Sequence, residues 1–194
     1  MENKIDEVCL MCNQTRIMLK KVEKGFLTHS KELLEEADNL GNEIDVICVS
    51  LTDSLISSAE KPLIPLPSDL ERIGDSLESI IHTVSTKIKD GIMFSDKGVK
   101  EIESLFEGVA ELLECLHDVI KTKSRVLINH IIERGKELSE LASEYSCSHQ
   151  ERIISGVCIP KASPIYLDMI DSLRNIAIHI YMMAERIGYK PLVE

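Results

Sequence analysis

The chain has 194 residues, 44 % of them hydrophobic and 28 % charged, with a formal net charge of −11. Such values suit one globular domain or two small ones, and the excess of acid argues against non-specific nucleic-acid binding, which needs Lys and Arg to neutralise phosphates. It allows a bound cation or a basic partner surface instead.

Helical periodicity runs through almost the whole chain. A first helix covers roughly 2–24, with Ile5, Val8, Cys12, Met18 and Val22 facing inward, and Gly25 reads as its end. A second runs from about Thr28 to Ala59, and its apolar stripe is Leu40, Ile44, Ile47, Leu51 and Leu55. The three prolines in 62–67 predict a break. Ser68 then reads as an N-cap, with Glu71 completing a capping box. The third helix extends from 68 to about 90 and stops at Asp90-Gly91. Ser95 caps a fourth, about 95–123, with Val99, Ile102, Phe106, Val109, Leu113, Leu116 and Ile120 along one face. A fifth covers about 124–148, with room to reach 154. The stretch Gly156 to Pro164 is a loop, and a sixth helix runs from about 164 to 187 and closes at Gly188. No segment alternates like a strand. Short loops predict antiparallel neighbours.

The third and sixth helices share a pattern. Leu70, Ile73, Leu77, Ile80, Ile81 and Val84 map at constant offset onto Leu173, Ile176, Ile180, Met183, Ala184 and Ile187. The expected fold is therefore all-α, six helices in two tandem three-helix bundles, 1–92 and 93–194.

In the third helix Glu71, Asp75 and Glu78 share a face, roughly 125° from the apolar stripe at about 100° per residue. Like charges so placed destabilise a helix unless something compensates, and a hard cation would do so. Asp38 and Asp45 share a face of the second helix, opposite its core stripe. If the two helices are neighbours, Asp38, Asp45, Glu71 and Asp75 line one carboxylate-rich surface and form the candidate metal site. A solvated acidic face, with Glu71 as a cap and Arg72 as an ion-pair partner, is the plainer alternative. At the matching places the sixth helix carries Arg174, Ile178 and Tyr181, which cannot hold a hard metal.

Leu70-Glu71-Arg72-Ile73-Gly74-Asp75 resembles the LERIGD signature of PhoU proteins, phosphate-uptake regulators built of two three-helix bundles. The similarity continues at Met93-Phe94-Ser95, at His149-Gln150-Glu151-Arg152-Ile153, at Gly156-Val157-Cys158-Ile159-Pro160 and at Ile165-Tyr166-Leu167-Asp168. That second-half pattern is similar to the PhoU-like cytosolic domain of bacterial sodium–phosphate cotransporters. The resemblance implies a non-enzymatic regulator of phosphate transport or phosphate signalling, working by contact with a transporter or sensor protein and reaching a membrane only through that partner. It implies multinuclear iron or zinc at the E-x-x-x-D positions, here Glu71 and Asp75, with Asp45 on the preceding helix, and it allows a homodimer. The second copy departs from the signature at Arg174, Ala177 and Ile178, so a second cluster is not expected.

Other groupings carry less. Glu114-Cys115-Leu116-His117 is a single E-x-x-H, whereas a di-iron enzyme needs two such motifs plus further inward Glu residues. Cys9-Leu10-Met11-Cys12 lacks the second ligand pair of a structural zinc site, unless Cys147 and His149 supply it. His149 and Arg152 read as ties between the loop and a helix end, or as an anion site. The rival functions are a metal-binding or storage bundle and, further off, a di-iron enzyme. No run approaches the ~20 apolar residues of a membrane span. Met1-Glu2-Asn3-Lys4 does not resemble a signal peptide. The six cysteines read as reduced, buried thiols. A cytoplasmic location is the expectation.

Overall fold

A computed structural model describes residues 2–57 and 63–188. Six long helices follow one another: α1 Glu2–Thr28, α2 Lys31–Ser57, α3 Pro65–Lys89, α4 Asp96–Thr122, α5 Arg125–Ile154 and α6 Ser163–Gly188, with a single 3-10 turn, Pro160–Ala162, before the last. No strand occurs among the described residues. Within each half the three helices pack on one another, α1 with α2 and α3, then α4 with α5 and α6. The halves join through like partners, α1 against α4 and α3 against α6. One apolar core runs through both. Leaving α2 and α5 on the outside gives each of them one buried stripe and one open face.

The shared pattern of the third and sixth helices is core in both copies. Leu70, Ile73, Leu77, Ile80, Ile81 and Val84 are buried, and so are Leu173, Ile176, Ile180, Met183 and Ala184, with Ile187 half-buried. The two halves also each carry a glycine at a helix–helix contact. Gly41 on α2 lies under Glu78 of α3, and Gly135 on α5 lies under Tyr181 of α6. At both an outer helix approaches its neighbour closely, against the Tyr181 Cβ at Gly135 and against the movable carboxylate end of Glu78 at Gly41.

Helix ends correct three expectations. Gly25 does not stop α1. It is buried inside the helix, where a Cβ would stand 2.7 Å from Leu34 Cδ2, so its smallness serves the α1–α2 approach. The chain turns four residues later, at His29, whose φ of 56° takes the left-handed position that ends helices. Ser68 is not an N-cap, and Glu71 completes no capping box. The helix already begins at Pro65, and Pro65 and Pro67 sit in its first turn, where the missing N–H has no intrahelical partner to lose. The expected end of the second helix at Ala59 and the break at Pro62 lie outside the described residues. Ser95 does cap α4, accepting a 3.2 Å hydrogen bond from the Gly98 N–H.

Candidate functional site

Two places gather chemistry. The first is the seam between α2 and α3. Asp38, Asp45 and Asp75 are exposed, Glu71 and Glu78 half-buried. The carboxylates feel one another across the seam. Burial raises the pKa of Asp45, and the charges of Glu71 and Asp75 raise it further. Glu78 is raised by burial and then by Asp45, Asp75 and Asp38. Glu71 accepts a 3.3 Å hydrogen bond from the Cys48 thiol, which burial and that carboxylate push up to about 11. Among the described residues none of the five carboxylates has an ion-pair partner. Arg72, the partner that the plainer reading gave Glu71, is exposed and makes no such pair. Asp69, just before the signature, turns the opposite way and pairs with Arg186 of α6, tying the halves together.

The seam therefore holds oxygen donors of the right chemistry for a hard cation. They do not form a ready-made centre: among the described residues no three His, Cys, Asp or Glu side chains gather closely enough to hold a metal ion. Their mutual repulsion gives a modest expected gain from neutralising one. Glu78→Gln should stabilise the fold by a few tenths of a kcal/mol, the scale of a like-charge helix pair. Urea unfolding at pH 7 checks it.

The second place lies where α4, α5 and α6 meet, and the second-half motifs converge there. Arg152 is 9 % exposed and Glu101 5 %. The guanidinium donates Nη1 to Glu101 Oε1 at 2.9 Å and Nη2 to Oε2 at 2.6 Å, and Tyr166 Oη donates to the same Oε2 at 2.5 Å. Burial works against the charge of Arg152, but hydrogen bonds and the charge of Glu101 outweigh it and raise its pKa, keeping it cationic. Burial, then the bond to Glu101, raises the Tyr166 phenol as well. The Arg152 carbonyl accepts from the Val157 and Cys158 N–H groups at 2.9 and 3.1 Å, which folds the loop back onto α5. The expected tie between loop and helix end is thus what these residues form.

His149 is buried beside this network. It stacks on Tyr166 at 4.2 Å between ring centroids and bonds Ser163 Oγ through Nε2 at 3.1 Å. It also lines a cavity of about 240 Å³ with Ser95, Gly98, Cys158, Ala162 and Tyr166, rimmed by exposed Met93, Val157 and Ile159. Burial lowers its pKa below 6.5, Arg152 lowers it further, and Glu101 opposes them. A histidine so depressed contributes stability that is complete above about pH 6.5 and is lost as pH falls toward its folded value. Acidification from pH 7 to 5 should therefore weaken the protein, and His149→Gln should flatten that slope in urea titrations. His29 and His179 are lowered in the same sense. Asp45 and Glu78, being raised, act with the opposite sign, so the difference between wild type and variant isolates His149.

The remaining candidates separate cleanly. Glu114 is exposed and pairs with Arg16, and His117 is only half-buried, so the buried carboxylate–histidine centre of a di-iron enzyme is not formed. Cys9 and Cys12 are buried core thiols, and burial pushes Cys12 up to about 12. Cys147 is exposed. Glu101 escaped the sequence reading, though a signal existed. It sits in line with Gly98, Leu105, Gly108 and Leu112, all buried, so a carboxylate there needs a buried partner.

Helices throughout, arranged as two three-helix units joined through like helices, define the class. No protein-family model matches the sequence, and no curated protein matches it significantly. Solved structures do match. PhoU from Pseudomonas aeruginosa superposes with a TM-score of 0.87 at 14 % identity, covering 97 % of this chain and 95 % of that one. The phosphate transport system regulatory protein PhoU from Streptococcus pneumoniae also gives 0.87, at 15 % identity, covering 97 % and 93 %. The chain has the fold of PhoU proteins. Among the described residues no helix is long and apolar enough to cross a membrane.

Proposed function

We propose that the protein is a PhoU-type regulator of phosphate transport that acts by contact with a transporter or sensor protein rather than by catalysis. One observation carries this reading: its six helices follow those of a protein described as a phosphate transport system regulator over nearly the full length of both chains. The signature around Glu71 and the motifs around Arg152 support it, since both occupy defined structural positions rather than random surface. Deleting the gene and measuring phosphate uptake tests it. Uptake should stay high in phosphate-rich medium, where the intact strain reduces it. Equal uptake in both strains at high and low phosphate overturns the proposal.

A metal at Asp38, Asp45, Glu71 and Asp75, iron or zinc, is a separate proposal. Five mutually repelling carboxylates without a counter-charge favour it, because a cation would relieve that repulsion. These side chains would have to close around it, since they are not gathered beforehand. Thermal unfolding with ferric or zinc ion should show an upward shift that Glu71→Gln with Asp75→Asn abolishes. No shift with either ion, and none co-purifying, removes both this site and the metal-storage alternative.

A further inference from the structure

The buried side of α2 carries Ile44, Leu51 and Leu55, packed against α1 and α3. Its opposite side is also apolar in a regular way. Val46 is 71 % exposed, Val49 65 % and Ile56 58 %, with exposed Asp53 between them. Positions 46, 49, 53 and 56 step by three, four and three. On a helix they fall within an arc of about 80°. That is the spacing with which one helix packs along another. Single exposed apolar residues are ordinary, but a periodic stripe on one helix is not scatter. Nor does the stripe help α2 itself, because β-branched residues are weaker helix formers than Ala, Lys or Glu.

We propose that this outer face of α2 seats one helix of a partner protein, apolar along its own stripe and bearing Lys or Arg beside it. Charge selects that occupant. Asp53 lies within the stripe and would be covered by the contact, so it needs a cation opposite it. Asp38 and Asp45 flank the stripe on the edge toward α3, with Glu71, Asp75 and Glu78 beyond them, and Glu43 flanks the other edge. A second copy of this chain is a poor fit. Parallel pairing sets Asp53 against Asp53, and antiparallel pairing centred on the stripe covers Asp53 with Val49 and offers it no cation. An anionic lipid surface meets the same repulsion. A cationic amphipathic helix satisfies the stripe, Asp53 and both edges together.

The inference rests on the regulatory reading only in taking the partner to be a protein. Its test reads contact and not phosphate uptake, so either can fail alone. The probe is a labelled helical peptide of repeating Leu and Lys, about three heptads long, with a scrambled peptide of equal composition and a Leu/Glu helix as controls. In fluorescence anisotropy the Leu/Lys helix should bind more tightly than both. Val46→Ser with Val49→Ser should weaken binding at least tenfold while the net charge stays the same. Asp45→Asn with Asp53→Asn should weaken it and reduce its salt dependence. Val126→Ser, at an exposed position at the start of α5, should leave it unchanged. The proposal is overturned if binding survives the two valine changes, or if either control peptide binds equally. It is also overturned if the protein is a dimer that the valine changes split, or if vesicles of anionic lipid compete for the face.

Discussion

Replacing Arg152 with methionine should cost the fold about 3–5 kcal/mol, the range found when one partner of a buried ion pair is removed. The change leaves the Glu101 carboxylate 5 % exposed with the Tyr166 hydroxyl as its close donor. Lys97, 3.9 Å away on the rim, is a distant and solvated substitute. A shortfall of that size lowers Tm by about 10 °C in a chain of this length. The cause is the orphaned charge and not the lost bulk, so the double variant Glu101→Leu with Arg152→Met should recover most of the stability. If the double variant is as weak as the single, the network holds the fold by shape rather than by charge. Tyr166→Phe removes one hydrogen bond to a charged group and should cost about 1.5–3 kcal/mol. Each effect is read from the urea midpoint at pH 7, where His149 is uncharged and does not confuse the comparison.

Gly135→Ala should destabilise the protein by about 1–3 kcal/mol, whereas Gly41→Ala at the matching place should be close to neutral. An added Cβ at 135 stands 2.8 Å from Tyr181 Cβ and 3.1 Å from its Cδ1. A Cβ is fixed to its own backbone, so relief requires α5 and α6 to move apart. At 41 the nearest atom, 2.4 Å away, is Oε1 of Glu78, the free end of a flexible side chain. That carboxylate can swing toward solvent. The gain in helix propensity, up to about 1 kcal/mol for Gly to Ala, then offsets what remains. Thermal unfolding of the two variants should show a clear drop for one and little change for the other. Equal losses would mean that the two halves are more alike in packing than the tyrosine and glutamate suggest.

These two glycines illustrate the limit of reading one chain alone. Each sits inside a helix whose periodicity predicts the helix and gives no sign of the neighbour packed against the glycine, nor that only Gly135 faces an atom that cannot give way. The same blindness explains the misplaced end at Gly25. Glycine often closes a helix because it tolerates the left-handed conformation, yet here it admits Leu34 and His29 takes the turn. At Pro65 and Pro67 the error has another source. Proline breaks a helix interior, but a first turn has no bond for it to break.

The acidic seam was half legible. Spacing places Glu71, Asp75 and Glu78 on one face, and Asp38 and Asp45 on another, because helical geometry is local. That the two faces meet, with Glu71 and Asp75 acting on Asp45 and Asp45 acting on Glu78, follows only from α2 packing on α3. The buried ion pair was less visible still. Fifty-one residues separate Glu101 from Arg152, and no periodicity links positions on different helices.

By itself, then, the sequence determined six helices, their inward stripes, the twofold repetition of the third and sixth, and the asymmetry between an acidic strip and its Arg174, Ile178 and Tyr181 counterpart. Those follow from interactions within a few residues along the chain. The tertiary structure decided which helix faces adjoin, which carboxylate is buried against Arg152, and which apolar stripe of α2 stays bare. Such outcomes depend on packing six amphipathic rods around a shared core, where each contact is fixed by all the others.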